Sequence, residues 1–310
     1  MKNILVTGGC GFIGSNFLNY MVSKYPNCNF INLDAMYYCA SIDNLTIRNY
    51  NNYHFVRGNL NSVDLINYIL TENNIDTIFH FAAQSHVDNS FSNPLQYTQD
   101  NIVGTHNLLE CVRGYNKIEK FIHISTDEVY GEADEHKTEN SILCPTNPYA
   151  ATKAAAEMLV KSYIYSYKLP IITVRMNNVF GPNQYPEKLI PKFIKLLKEG
   201  KKCTIHGNGS TRRIFVHTSD VCRAIELIGE KGVLNEIYNI GGLPENEHSV
   251  LEITQMLVNK YFPGDSLEQH ITFVRDRDFN DKRYLVNDDK IKQLGWEPYI
   301  SLRDYISQIE

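Results

Sequence analysis

The stretch "TGGCGFIG" (residues 7–14) decides the fold. It follows "NILV" (residues 3–6), a compact apolar run, and leads into "SNFLNYMVSKY" (residues 15–25), whose apolar residues recur every three or four positions. A strand is thus followed at once by a helix. Gly8, Gly11 and Gly14 between them have the spacing GxxGxxG. Glycine there allows a tight turn, close approach of backbone to a pyrophosphate, and close packing of helix on strand, while the helix N-terminus favours negative charge. Asp34 closes the next apolar run, "FINLD" (residues 30–34), twenty residues beyond Gly14. A carboxylate at that place accepts hydrogen bonds from an adenosine ribose and repels a 2′-phosphate, so NAD is expected over NADP.

The pattern continues outward. "HFVRG" (54–58), "DTIFHFAA" (76–83), "KFIHIST" (120–126) and "IITVRMN" (171–177) are further apolar runs, separated by segments long enough for helices. Continuous apolar strands alternating with helices predict an α/β fold of the doubly wound, Rossmann type, with a parallel sheet covered on both faces. Helices are expected over residues 62–72, 94–113 and 149–167. After residue 177 the regularity fades. "CTIHGNGSTRRIFVHT" (203–218) reads as a hairpin about a Gly-Asn-Gly turn. "SDVCRAIELI" (219–228) reads as a helix, and "EIYNIGG" (236–242) as a strand returning to the main sheet. A dinucleotide-binding domain over 1–177 and 218–241 is therefore expected, interleaved with a smaller substrate-binding domain over 178–217 and 242–310.

Bulk properties exclude several function classes. The 310 residues are 43% hydrophobic and 21% charged, with a net charge of −5. That balance gives no broad electrostatic basis for binding nucleic acid or an acidic membrane. The seven cysteines are odd in number and none has CxxC spacing, which argues against a disulfide framework or a zinc site and for a reducing compartment. No metal is expected. No run approaches a membrane span, and the N-terminal apolar run is too short for a signal peptide. A soluble, cytoplasmic protein is the expectation.

Two further constellations carry chemistry. "YAATK" puts Tyr149 and Lys153 four residues apart, on one face of a predicted helix. An adjacent ammonium favours a phenolate, so the pair is expected to take a proton from a hydroxyl while a nicotinamide accepts hydride. "STDEVYG" (125–131) sets Asp127 and Glu128 side by side directly after a buried strand.

Taken together, "TGGCGFIG", "HFAAQSHVD", "STDEVYG", "NPYAATKAAAE", "NNVFGPNQYPEKLIPKFI" and "YNIGG" make the chain resemble the extended short-chain dehydrogenase/reductase family over nearly its whole length. Within that family it resembles the nucleoside-diphosphate-glucose 4,6-dehydratases, because related epimerases usually carry small residues in place of the two acids. The resemblance implies that Tyr149 deprotonates the 4-hydroxyl of glucose, with Lys153 and Thr126 assisting. Glu128 then removes the carbon-5 proton, and Asp127 protonates the leaving 6-hydroxyl. Two acids in one desolvated pocket tend to have separated pKa values, which suits one donor beside one acceptor.

The resemblance also implies cofactor contacts at Phe12 and Ile13 in the glycine loop, at Asn59 and Leu60, and at Ala82, Ala83, Ser85 and Asn101. Ser85, Asn178, Lys188 and Leu189 are implied to touch the substrate, and Arg213 its diphosphate, with Arg212 as the alternative one residue away. Asn239, Asn280, Arg283 and Tyr284 are implied to close over the nucleotide. Asn59 stands where the family often has aspartate, and Cys10 replaces a small residue of the loop without a base to make it catalytic. The wording around "FNDKRY" (279–284) and "HVDNSF" (86–91) favours UDP-glucose over dTDP-glucose. A homodimer is expected, and a chain ending at residue 310 would leave rhamnose synthesis to be finished by a separate protein. A 4-epimerase of the same fold and a non-catalytic NAD-binding protein are the alternatives.

Overall fold

The structure is a computed structural model that describes residues 1–276 and 280–309; Phe279, part of the wording that favoured UDP, lies outside the described residues. The chain begins with β1 (Asn3–Thr7), α1 (Phe12–Lys24), β2 (Asn29–Asp34), β3 (Tyr53–Arg57), α2 (Val63–Glu72) and β4 (Thr77–His80). Short helices α3 (Val87–Ser92) and α4 (Pro94–Tyr97) precede α5 (Gly104–Tyr115), β5 (Lys120–Thr126), α6 (Pro148–Tyr167) and β6 (Ile171–Met176). Then follow β7 (Asn178–Phe180), α7 (Leu189–Lys198), β8 (Cys203–His206), β9 (Arg212–His217), α8 (Thr218–Lys231) and β10 (Ile237–Ile240). β11 (Glu247–Ser249), α9 (Val250–Tyr261) and β12 (Ile271–Val274) belong to the last third of the chain.

Seven strands form one parallel sheet in the order β10-β6-β5-β4-β1-β2-β3. Strand order reverses beside β1, so the carboxyl ends of β1, β2 and β4 surround the crevice in which such sheets bind ligands. One face packs against α1 and α8 through Phe17, Leu18, Met21, Ile225 and Ile228; the other packs against α2, α5 and α6 through Ile66, Ile69, Leu108, Val112 and Val160. Burial on both faces explains why the strands read as unbroken apolar runs. A third cluster, with Phe193, Leu197, Ile205, Ile253 and Leu257, gathers around α7, α9 and β8.

The structure revises two of the sequence expectations. The hairpin over 203–218 is absent: β8 pairs in parallel with β12, whereas β9 pairs with β7 and β11. Gly207 and Gly209 do form a turn, with φ of +57° and +69°, but it sends the chain from one small sheet to another. The helix expected over 94–113 is interrupted by a six-residue π-helical segment, Thr98–Val103. Within it lies Asn101, which accepts from the Gln84 amide at 2.7 Å and donates to the Gln84 carbonyl at 3.0 Å and to Thr152 Oγ1 at 2.9 Å. The widened turn fits this inward side chain, and π-bulges of this kind often accompany functional sites.

β6 is tied to α6 by a buried ion pair. Arg175 Nη2 donates to Glu157 Oε2 at 2.6 Å, with both side chains 3% exposed. Arg175 also donates to the Tyr130 hydroxyl at 2.7 Å, and that hydroxyl donates to Asn239 Oδ1 at 2.8 Å. Glu157→Ala would leave the Arg175 charge buried and unpaired, and is expected to cost about 3–5 kcal/mol in urea unfolding at neutral pH; a loss below about 1 kcal/mol would show that water or another group takes the place of Glu157.

Candidate active site

A cleft of about 290 Å³ runs along the carboxyl ends of the central strands. At one end lies the glycine loop. Gly8 has φ of +73°, and a Cβ there would come within 2.7 Å of the Ala82 backbone; a Cβ on Gly14 would meet the Gly8 carbonyl oxygen at 2.3 Å. Only glycine fits this cradle, and Gly11, the N-cap of α1, has no capping side chain, so the helix N-terminus stays open to an anion. Phe12, Ile13, Leu60, Ala82, Ala83 and Ser85 line the cleft beside it. Asp34 Oδ2 accepts from the Cys10 amide and Oδ1 from the Met36 amide, both at 2.8 Å, which fixes the carboxylate in the cleft wall. Asn59 donates to the Tyr37 hydroxyl at 2.7 Å, and the Tyr37 hydroxyl donates to Asp100 at 3.1 Å. The thiol of Cys10 is pushed up to about 12 by burial and then by the Asp34 charge, so it stays protonated.

The acid pair stands farther along. β5 ends at Thr126, whose hydroxyl accepts from the Glu128 amide at 3.2 Å and thereby caps a 3₁₀ turn, Asp127–Tyr130. Asp127 is 2% exposed; its Oδ2 accepts from Asn177 Nδ2 at 2.7 Å, and its Oδ1 from Thr126 Oγ1 at 3.1 Å. Burial, and then the neighbouring Glu128 charge, push its carboxyl up to about 7. Glu128 Oε2 accepts from Asn147 Nδ2 at 2.9 Å. Burial raises its carboxyl too, opposed by the Asn147 hydrogen bond and by the charges of Arg213 and Lys188. Both carboxyls are thus raised, and the Asp127 carboxyl holds its proton up to about pH 7.

Tyr149 lies in the first turn of α6, where Pro148 follows the N-cap Asn147, whose Oδ1 accepts from the Ala150 amide at 2.8 Å. The phenol lines the same cleft as the acids. Burial works against the expected phenolate. Lys153 Nζ donates to the Ile124 carbonyl at 2.6 Å, and burial pulls its ammonium down to about 8. Burial, together with the charges of Glu128 and Asp127, pushes the Tyr149 phenol up instead, opposed by a hydrogen bond from Thr126. Desolvation and two nearby acids outweigh the single lysine.

Other expected residues divide into groups. Asn178 and Lys188 line the cleft, with Lys188 Nζ donating to the Ser85 carbonyl at 2.8 Å. Leu189, the first residue of α7, is not among the described residues that line it, nor are Asn101 and Asn239, which are fully buried. Asn239 Nδ2 is taken up by the carbonyls of Lys137 and Asn287 at 3.2 and 2.9 Å. Arg213 stacks on the Tyr284 ring at 4.3 Å, on the side of the acids, whereas Arg212 reaches Glu252 at 3.1 Å. Neighbours along a strand face opposite ways, which separates the two arginines. Asn280 donates to Thr211 Oγ1 at 3.2 Å, and Arg283 forms an ion pair with Glu247 at 2.5 Å. Asn147 and Asn177 were missed by the sequence reading. Asn147 had a signal in "NPY", an Asn cap before Pro; Asn177 had none.

The fold, the glycine cradle and a tyrosine–lysine helix beside it define an NAD-binding short-chain dehydrogenase/reductase architecture. The profile of the GDP-mannose 4,6-dehydratase family matches residues 5–309, and the chain belongs to that family. It is 48% identical over 308 residues to a trifunctional UDP-glucose 4,6-dehydratase/UDP-4-keto-6-deoxy-D-glucose 3,5-epimerase/UDP-4-keto-L-rhamnose-reductase of Arabidopsis thaliana, covering 98% of this chain and 46% of that protein. The chain thus spans about half the length of the plant relatives it matches. It is 44% identical to a dTDP-D-glucose 4,6-dehydratase of Homo sapiens, over 99% of this chain and 88% of the relative. A crystal structure of dTDP-glucose 4,6-dehydratase from Streptomyces venezuelae with NAD bound superposes with a TM-score of 0.93 at 37% identity, covering 99% of this chain and 95% of the other.

Gly14→Ala is expected to weaken dinucleotide binding at least tenfold by calorimetric titration. Gly114→Ala, where a Cβ meets nothing within 4 Å, is expected to leave binding unchanged. Equal affinities for the two variants would contradict the cradle.

Proposed function

We propose that the chain is an NAD-dependent sugar-nucleotide 4,6-dehydratase, a hydro-lyase that converts UDP-glucose, and less readily dTDP-glucose, to the 4-keto-6-deoxy-glucose nucleotide and water. The observation that carries the reading is the buried Asp127 and the half-buried Glu128 side by side in one cleft with Tyr149. An epimerase of the same fold returns hydride to the carbon it left and has no use for an acid pair.

NAD, when held by the glycine loop and Asp34, supplies the hydride sink at carbon 4 and the hydride source at carbon 6. Tyr149 accepts the 4-hydroxyl proton in its phenolate form, which burial and the two acids disfavour and the Thr126 hydrogen bond favours, and Thr126 orients that hydroxyl. A ketone at carbon 4 acidifies the proton on carbon 5, which Glu128 removes. Asp127 gives its proton to the 6-hydroxyl, which leaves as water. Glu128 then returns a proton to carbon 5. Lys188, Asn178 and Ser85 hold the sugar and diphosphate, with Arg213 as the cation for the diphosphate. Higher identity to the plant UDP-glucose relative than to the human dTDP-glucose relative supports UDP as the preferred nucleotide. The same reading has the chain work in deoxysugar or rhamnose synthesis. It has two copies join through α5 and α6, near which Leu95, Met158 and Tyr165 are exposed, in a cytoplasm that keeps all seven cysteines free.

Incubation with UDP-glucose or dTDP-glucose, followed by mass spectrometry, is expected to give a product lighter by one water, with the larger kcat/KM for UDP-glucose. An isomer of unchanged mass would assign an epimerase, and no conversion a binding protein. Glu128→Gln is expected to slow carbon-5 exchange with solvent by about 10²–10⁴-fold. Because the Asp127 carboxyl is raised, its proton is present below about pH 7 and lost above it. The elimination rate is therefore expected to fall as pH rises through 7, and Asp127→Asn to abolish that limb along with most of the rate.

A further inference from the structure

Asp281 lies outside the machinery so far described, yet it is one of the more deeply buried acids of the chain, at 3% exposure. Its Oδ2 accepts from Thr146 Oγ1 at 2.6 Å and from the Tyr284 hydroxyl. Its Oδ1 is buried with no hydrogen-bond partner among the described residues. A buried carboxylate with one oxygen unmatched is costly and calls for a compensating role.

Both partners lead to the active site. Thr146 immediately precedes Asn147, and Asn147 Nδ2 holds Glu128 Oε2 while its Oδ1 caps α6, the helix that carries Tyr149. Tyr284 carries the Arg213 guanidinium on its ring. The residue after Asp281 is itself anchored: the Lys282 amide donates to Glu132 at 2.7 Å, and the Arg212 amide donates to the Lys282 carbonyl at 2.9 Å. Asp281 thus joins the C-terminal segment to the residue that orients Glu128, and brings a negative charge close to that base.

We propose that Asp281 is a positioning residue for proton abstraction at carbon 5: through Thr146 and Asn147 it holds Glu128 in place, and it sets a second buried carboxyl close to that base. This rests on the dehydratase reading above. The groups facing Glu128 are Arg213 and Lys188, which favour its ionised form, Asp281 and the adjacent Asp127, which oppose it, and the phenols of Tyr149 and Tyr284. Removing the Asp281 charge leaves the two cations less opposed, so Glu128 ionises at lower pH and binds a proton more weakly.

The test is the pH profile of carbon-5 exchange with solvent, measured on the whole chain with NAD and the sugar nucleotide that the wild type converts. Asp281→Asn keeps the shape of the side chain and an oxygen to accept from Thr146 and Tyr284. It is expected to move the acidic limb of exchange to lower pH and to reduce the plateau about tenfold, with KM changed less than threefold. Thr146→Val is expected to reduce the plateau in the same way, and Thr146→Ser to restore it. An acidic limb at the wild-type pH in Asp281→Asn, or a loss confined to KM, would overturn the proposal. Absence of exchange in the wild type would instead overturn the dehydratase reading, so the two failures are distinct. Circular dichroism of each variant reports folding; if Asp281→Asn does not fold, the plateau and rescue of the Thr146 pair decide the matter alone.

Discussion

Desolvation of two adjacent carboxyls is the constraint on which the rest of this molecule depends. A strand buried on both faces ends at Thr126, and the next two side chains are acids, Asp127 buried and Glu128 half-buried. In bulk water both would be ionised near neutral pH and would differ little in proton affinity. Under burial, each charge raises the cost of the other, and the proposed elimination of water draws on that, with one acid as donor and its neighbour as acceptor within one turn of chain.

The surrounding structure serves that turn. Asn177 and Thr126 hold Asp127, Asn147 holds Glu128, and the Tyr130–Arg175–Glu157 network anchors the far side of the 3₁₀ turn to β6 and α6. The cofactor end of the cleft needs different physics. There, close backbone approach matters more than charge, and glycines permit it where any Cβ would collide with the Ala82 backbone or the Gly8 carbonyl. One cleft therefore joins a backbone-lined anion site to a desolvated acid–base site, and the two are linked through the ends of β1, β4 and β5.

Legibility in the sequence followed the range of each interaction. The strand–loop–helix with its three glycines, Asp34 at the end of β2 and the sheet of apolar runs are local patterns, and the structure has them where the spacing put them. The acids and Tyr149 were readable as residue types, and their company in one cleft follows from the fold. What failed depends on partners far along the chain. β8 chose β12 over β9, a choice no turn signal encodes. The π-helical segment holds Asn101, whose partners Gln84 and Thr152 are distant in sequence. The Lys153 ammonium bonds a strand carbonyl rather than lowering the phenol, because the balance at Tyr149 is set by burial and by acids on another element. Asn239, expected to meet the nucleotide, is instead committed to backbone carbonyls in the interior.

The most direct measurement is the titration of Asp127 itself, by carbon-13 carboxyl resonance in the full chain, assigned by its loss in Asp127→Asn. The account predicts a midpoint near 7, from burial beside Glu128. A midpoint in the ordinary aspartate range, about 4, would contradict it, because the turn would then hold two ionised acids at neutral pH and no proton for the leaving hydroxyl.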